Sequence, residues 1–291
     1  MINVLENDVL KIEVNALGAE LSSMMMKEDG TEYLWQGDPA SWKRKAPVLF
    51  PIVGGLKDNE YYVDDKRYGL SQHGFARDMV FTLKEQSNQS LVYELMYSEE
   101  TLTKYPYRFV LTIGYTLEGN NLHIGYQVKN LDTDTIYFSI GAHPGFNVPL
   151  EQGETLEDYY VAFDQPETVS RYALTANNTV GIKCIPFLQE EQQFHLTQDI
   201  FHEGAIILLD LVSNKLALRS NKSDKAIIIA YEGFPYMGIW GMPHRSPFVC
   251  LEPWYGVADF DDTDKQYKTK KGIQNLEVGE EFSARYTMTI E

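Results

Sequence analysis

The sequence predicts an all-β protein folded as one domain, a large sandwich or barrel. Three observations carry this. Short alternating strand runs recur along the chain with turn residues between them. No stretch sustains a 3.6-residue apolar period over three turns. Glycine and proline interrupt the chain every dozen residues or so, while no linker, low-complexity stretch or internal repeat divides it. Length alone would allow two domains, but all-β chains of this size can form one unit, so residues 1–291 are read as a single domain. Chain length over the usual strand plus its loop gives roughly fifteen to twenty strands.

The elements follow in order. "VLKIEVNALGAELSSMMM" holds two runs about an Asn-Ala-Leu-Gly corner, and "TEYLWQGDP" follows the turn "KEDG". "YYVDDKRYGL" reads as a hairpin about Asp64-Asp65. "MVFTLKEQSNQSLVYELMYS" reads as another, over Ser87-Asn88-Gln89. The clearest is "RFVLTIGYTLEGNNLHIGYQVKNL". There Leu111, Ile113, Tyr115 and Leu117 share one face, and Leu122, Ile124, Tyr126 and Val128 share a face of the return strand. "GAIILLDLVSNKLALRS" and "KAIIIAYEG" continue the pattern, and "EEFSARYTMTIE" closes it. "PASWKRKAP" and "DDTDKQYKTKKGIQNL" have room for a helical turn or two.

Composition excludes several functions. Apolar residues make up 44% of the chain and charged residues 23%, an ordinary globular balance. The net charge of −17 lacks the basic footprint that nucleic acid or an anionic membrane surface requires. No stretch approaches the ~18 apolar residues of a membrane span. "MINVLENDVLKIEV" does not read as a signal peptide. The two cysteines, Cys184 and Cys250, form neither a CxxC motif nor a disulfide framework, and both look apolar. Cys250, inside "FVCLE", reads as a buried structural thiol. A cytoplasmic protein is therefore expected.

Nucleotide-binding, zinc-binding and nucleophile-elbow motifs are absent, so no cofactor or metal is expected. What remains is acid–base chemistry by imidazole and carboxylate. His123, His195, His202 and His244 read as surface, loop or turn residues. His73 in "SQHGFARD" and His143 in "SIGAHPGFNVP" stand at strand-to-loop corners beside glycine. Residue chemistry alone accounts for each as well by a structural histidine as by a catalytic one. Glu252 interrupts the otherwise buried strand "PFVCLEPWYG", where a carboxylate is costly unless paired or protonated. It fits a salt bridge or a general base beside Trp254. Trp254, Trp240, Phe146 and Tyr255 could offer rings to the apolar face of a sugar or serve as core aromatics.

The blocks "APVLFPIVGGLKD", "QHGFARD", "GAHPGFNVP", "YMGIWGMP" and "FVCLEPWYGVAD", in this order, resemble the aldose 1-epimerase (galactose mutarotase-like) family, in its bacterial mutarotase-related branch. The resemblance extends to "LEVGEEFSARYTMTI" near the end. It implies a large antiparallel β-sandwich with an open sugar-binding face, and cofactor-free interconversion of the α and β anomers of a hexose. It implies His143 as general acid toward the ring oxygen, Glu252 as base toward the anomeric hydroxyl, and His73 as a hydrogen-bonding partner of the sugar. Relatives often carry an arginine where this chain has Gly55, a role that Lys57 or Arg77 would have to fill. The family's sugar-binding aspartate has only Glu203 and Asp210 as nearby counterparts. Two alternatives stand beside this expectation. One is a non-catalytic carbohydrate-binding or regulatory protein on the same scaffold. The other is a hexose-6-phosphate epimerase, for which Lys43-Arg44-Lys45 is the one basic cluster, itself readable as a solvated loop.

Overall fold

A computed structural model describes residues 1–175 and 177–291. Among the described residues there are twenty-one strands, one α-helix at Glu99–Lys104, and four single 3-10 turns. The strand count exceeds the expected range because several pieces are only two or three residues long, such as Ile136–Phe138, Ile140–Gly141 and Gly145–Asn147. Among the described residues no helix is long and apolar enough to cross a membrane.

The main sheet is antiparallel and fourteen-stranded. Its path begins Ile140–Gly141, Phe248–Tyr255, Tyr236–Trp240, Ile206–Leu209, Tyr159–Leu174 and Lys215–Ser220. It continues through Ala226–Ala230, Glu281–Ile290, Asn121–Asn130, Phe109–Glu118, Ser90–Met96 and Thr82–Gln86. A separate three-stranded sheet contains Ile2–Glu6, Leu10–Asn15 and Glu20–Met26. Leu10, Ile12, Val14, Leu21 and Met24 of that sheet join Leu111, Ile113, Leu122 and Ile124 of the large one in a single apolar core. The period-2 alternation puts those side chains on one face of each strand.

The expected hairpins form at Glu60–Val63/Lys66–Gly69, Thr82–Gln86/Ser90–Met96 and Phe109–Glu118/Asn121–Asn130. Other segments differ from expectation. "TEYLWQGDP" makes isolated bridges rather than a strand. The turn expected in "DDTDKQYKTKKGIQNL" is a 3-10 turn at Tyr267–Thr269, while "PASWKRKAP" holds no helix. The one α-helix among the described residues lies elsewhere, closed at its start by a Ser98–Thr101 capping box. Alternation assigns no strand to 159–195, yet Tyr159–Leu174 and Val180–His195 pair as a ribbon of two sixteen-residue strands. The outer half of that ribbon is largely exposed, so it carries no apolar signal. His195 accordingly ends a strand, opposite Tyr160. Cys184 lies exposed on the same ribbon, contrary to its apolar reading.

One buried ion pair ties together the segments at Gly55–Lys57, Val180 and Val257–Asp259. Lys270 Nζ lies 2.7 Å from Asp259 and also donates to the Val257 carbonyl at 2.7 Å. The second Asp259 carboxylate oxygen accepts from the Lys57 backbone N–H at 3.0 Å. The Asp259 main chain accepts from Val180 and donates to Gly55. Removing one partner strands a charge in the interior. Lys270→Ala should therefore cost about 3–5 kcal/mol in urea unfolding. The double variant Lys270→Ala/Asp259→Ala should cost clearly less than Lys270→Ala alone. Equal losses would show that the pair's charges do not matter to the fold.

Candidate active site

The strand Phe248–Tyr255 is paired on one side by Tyr236–Trp240 and on the other by two short pieces, Ile140–Gly141 and Gly145–Asn147. Both pieces keep one register: Gly141 faces Trp254 and Gly145 faces Cys250. That register sets His143, in the gap between them, opposite Glu252. The gap is closed by the Ala142 N–H to the Pro253 carbonyl at 3.0 Å and the Leu251 N–H to the Pro144 carbonyl at 3.2 Å. The corner at His143 is thus a brief interruption of one ladder, and it places an imidazole and a carboxyl as cross-strand neighbours. His143 Nε2 lies 3.3 Å from Glu252 Oε2.

Both groups are buried, Glu252 with 1% of its surface exposed and His143 with 8%. Glu252 Oε2 and His143 Nδ1 have no aligned hydrogen-bond partner. Burial pushes the Glu252 carboxyl well above the usual carboxylate range. Burial, with a smaller push from Arg77 and Arg44, brings His143 down to about 3. Each shift favours the neutral form of its group. Neutral carboxyl with neutral imidazole, or carboxylate with imidazolium, are two placements of the same single proton at 3.3 Å, with the same net charge.

His73 reaches the site from a different loop. It adopts a left-handed φ of 67°, an uncommon backbone for a residue with a side chain. The next residue must be glycine, because a Cβ on Gly74 would sit 2.3 Å from the Phe50 carbonyl oxygen. The Gly54 N–H donates to His73 Nδ1 at 3.1 Å. A nitrogen that accepts is unprotonated, so the ring's proton resides on Nε2. Burial first, then His143, Arg77 and Arg44, hold His73 neutral. His73 is therefore a fixed hydrogen-bond donor. Its ring meets His143 edge-on at 5.3 Å.

These groups line a cavity of about 420 Å³, a volume ordinary for a small-molecule site. Trp42 stacks on His143 at 4.9 Å, and Trp240 meets it edge-on at 5.7 Å. Trp254 also lines the cavity and donates from Nε1 to the Ala142 carbonyl at 3.2 Å. Its indole fits because residues 141 and 238 are glycine: a Cβ there would stand 2.6 and 2.2 Å from the ring. Arg77 lines the cavity with its Nε buried and unpartnered, while one Nη donates to the Gln72 carbonyl at 2.6 Å. The nearest carboxylate, Asp78, is 3.9 Å from Arg77 and is engaged by Arg44 at 2.7 Å. Two guanidinium groups thus share one carboxylate at the cavity rim. Burial, then Arg44, brings the Arg77 guanidinium down to about 10.

Of the residues picked out by sequence, the cavity wall brings together His73, Arg77, His143, Trp240, Glu252 and Trp254. Three others lie elsewhere. Phe146 is fully buried in the core, paired with Val249. Lys57 spends its ammonium on the Asp261 carbonyl at 2.6 Å. Tyr255 packs on Phe234 and Phe282 instead. Gly55 backs onto Asn178, whose carbonyl oxygen would be 2.6 Å from a Cβ, so an arginine does not fit there with this backbone. Glu203 lines the cavity, in an ion pair with Arg171 at 2.6 Å, whereas Asp210 is exposed and outside it. The basic cluster is only partly solvated. Arg44 reaches Asp78, and Lys45 bonds the Ser22 carbonyl and Gln36. Sequence reasoning missed Trp42, Thr175 and Asn178 on the wall. A tryptophan inside the charged loop "SWKRK" was the one available signal.

Comparisons with known proteins bear on the family and the fold. The family model described as aldose 1-epimerase matches residues 1–273. Protein LacX, chromosomal, from Lactococcus lactis subsp. lactis is 38% identical over 262 residues, 87% of each chain. A galactose mutarotase related enzyme from Lactobacillus acidophilus superposes with a TM-score of 0.95 at 35% identity, covering 100% of this chain and 97% of that one. A galactose mutarotase-like protein from Lactobacillus casei ATCC 334 gives 0.94 at 30% identity, covering both chains fully.

The buried carboxyl has a thermodynamic signature. A carboxyl whose folded value is raised contributes stability that is fully present below its unfolded value, near 4.5, and lost as pH rises through the folded value. Glu252→Gln removes that loss. Relative to the parent, the variant should gain stability between pH 5 and pH 8, by at most ~1.4 kcal/mol per pH unit. Urea unfolding at both pH values reads this. A difference independent of pH would mean the carboxyl is ionised in the folded protein throughout.

Proposed function

The chain belongs to the aldose 1-epimerase family, and from that premise we propose that it is a mutarotase, interconverting the α and β anomers of a hexose. The observation that carries the proposal is the buried His143–Glu252 pair in a cavity wall, an imidazole and a carboxyl 3.3 Å apart. With a closed sugar bound, the carboxylate–imidazolium placement acts. Imidazolium His143 gives its proton to the ring oxygen, carboxylate Glu252 takes the proton of the anomeric hydroxyl, and the ring C–O bond breaks to leave an aldehyde and a free hydroxyl. The pair is now neutral on both sides, the state that burial favours, so burial supports the open-chain stage. Rotation about the C1–C2 bond presents the other carbonyl face. Glu252 then returns its proton to the carbonyl oxygen while His143 takes the hydroxyl proton, and the ring closes as the other anomer. Protons balance within the pair, and none has to be exchanged with solvent. His73 donates from Nε2 to a sugar oxygen, and Trp42, Trp240 and Trp254 supply apolar ring surface.

The binding-protein alternative explains the aromatic walls but gives no reason to bury an ionisable pair without aligned partners. Glu252→Gln and His143→Asn should each lower anomer exchange, followed by NMR, by ~10²–10⁴-fold while calorimetric sugar affinity changes little. The double variant should be hardly worse than the worse single one, because acid and base act as a unit. His73→Asn should damage affinity and turnover together. A parent protein that binds sugars without exchanging anomers would replace the enzyme by a binding protein.

A second reading concerns the substrate, and Arg77 favours it. A half-buried guanidinium with an unpartnered Nε, one Nη on the Gln72 carbonyl and only a shared carboxylate to balance its charge suits an anionic group on the sugar, as in a hexose 6-phosphate. Arg77→Gln should then lower kcat/KM for aldose 6-phosphates ~10–100-fold while sparing unmodified aldoses. Equal losses for both would assign Arg77 to the neutral part of the sugar.

A further inference from the structure

We propose that His143, Cys250 and Glu252 together form a binding site for a thiophilic divalent cation, Zn²⁺ foremost, and that the bound ion shuts off the acid–base pair. The inhibitory half rests on the mutarotase reading; the binding half does not. Cys250 and Glu252 are two residues apart on the strand Phe248–Tyr255, so their side chains leave the same face. His143 stands opposite Glu252 in the same register. One imidazole nitrogen, the thiol sulfur and one carboxylate oxygen all lie within 4.8 Å of one another. Tetrahedral zinc, with bonds of ~2.0–2.3 Å, needs its ligands closer together, a closure of about 1 Å that side-chain rotation can supply.

Two further features point to a cation rather than to a chance cluster. Glu252 Oε2 is buried and has no hydrogen-bond partner, so a lone pair faces this space unused. The charges also balance. Zn²⁺ with a thiolate, a carboxylate and a neutral imidazole is neutral overall, which suits a site from which water is largely excluded. Binding displaces the thiol proton and the one proton shared by His143 and Glu252, both of which leave to solvent. Three protein ligands leave one zinc position for water or a sugar hydroxyl. The sulfur donor selects Zn²⁺ over Mg²⁺ or Ca²⁺, which prefer oxygen ligands. With its proton displaced and its two groups coordinated, the pair can neither give nor take a proton.

The test uses the full chain carrying Cys184→Ser, which removes the exposed thiol. Co²⁺ replaces Zn²⁺ as a visible probe. The expected result is a tetrahedral cobalt spectrum with a thiolate-to-cobalt charge-transfer band, erased by Zn²⁺ but not by Mg²⁺. Adding Cys250→Ser should abolish the band, and Glu252→Gln, an independent ligand change that keeps the thiol, should weaken binding by ~10-fold or more. Zn²⁺ should inhibit anomer exchange in the Cys184→Ser protein, with at least a ~10-fold higher concentration needed once Cys250 is serine. Absence of the charge-transfer band, or its survival in Cys250→Ser, overturns the site. Should Cys250→Ser not fold, unchanged cobalt affinity in Glu252→Gln overturns it equally. Cobalt bound through Cys250 in a protein that exchanges no anomers would keep the metal site and remove the mutarotase reading; exchange without cobalt binding would do the reverse.

Discussion

Burial of one carboxyl against one imidazole is the constraint on which the site depends. Glu252 sits in a strand whose neighbours on the same ladder are apolar or aromatic. Charging either member alone there costs several kcal/mol. Depth in the sheet is therefore what holds an imidazole and a carboxyl side by side in their neutral forms.

Such a pair needs rigid walls. The constant register on both sides of the His143 corner fixes the imidazole opposite the carboxyl to within one residue. Stacking of Trp42 and edge contact from Trp240 and His73 then fix the ring's plane. The far side of the cavity is held differently. Gly54, Asn178 and Ala258 belong to loops that share the Lys270–Asp259 pair and its backbone hydrogen bonds. Ladder geometry thus orients the imidazole and the carboxyl, while a buried salt bridge anchors neighbouring loops of the cavity wall.

Charge is distributed unevenly about this cavity. The chain carries a net −17, yet the rim near His73 holds Arg44 and Arg77 against the single carboxylate of Asp78. Burial first, and this local positive excess after it, lower the proton affinity of both histidines. Glu203, also on the cavity wall, is paired with Arg171.

The sequence by itself determined the fold class and most of the hairpins, and it singled out His73, His143 and Glu252 by residue type and setting. Period-2 burial is local and shows in residues such as Leu122, Ile124 and Tyr126, and a carboxylate inside "FVCLEPWYG" is anomalous wherever the strand lies. The ribbon of 159–195 escaped because its exposed outer half carries no apolar alternation. Phe146 and Lys57 were placed wrongly because chain proximity to a corner does not say which face a side chain takes. Only the tertiary structure decided that Arg77 reaches the cavity, that Trp42 stacks on His143, and that Gly55 leaves room for Asn178. It alone fixed the proton on His73 Nε2, through a backbone donor nineteen residues away. These facts depend on contacts between distant segments, and such contacts leave no periodic trace in the chain that makes them.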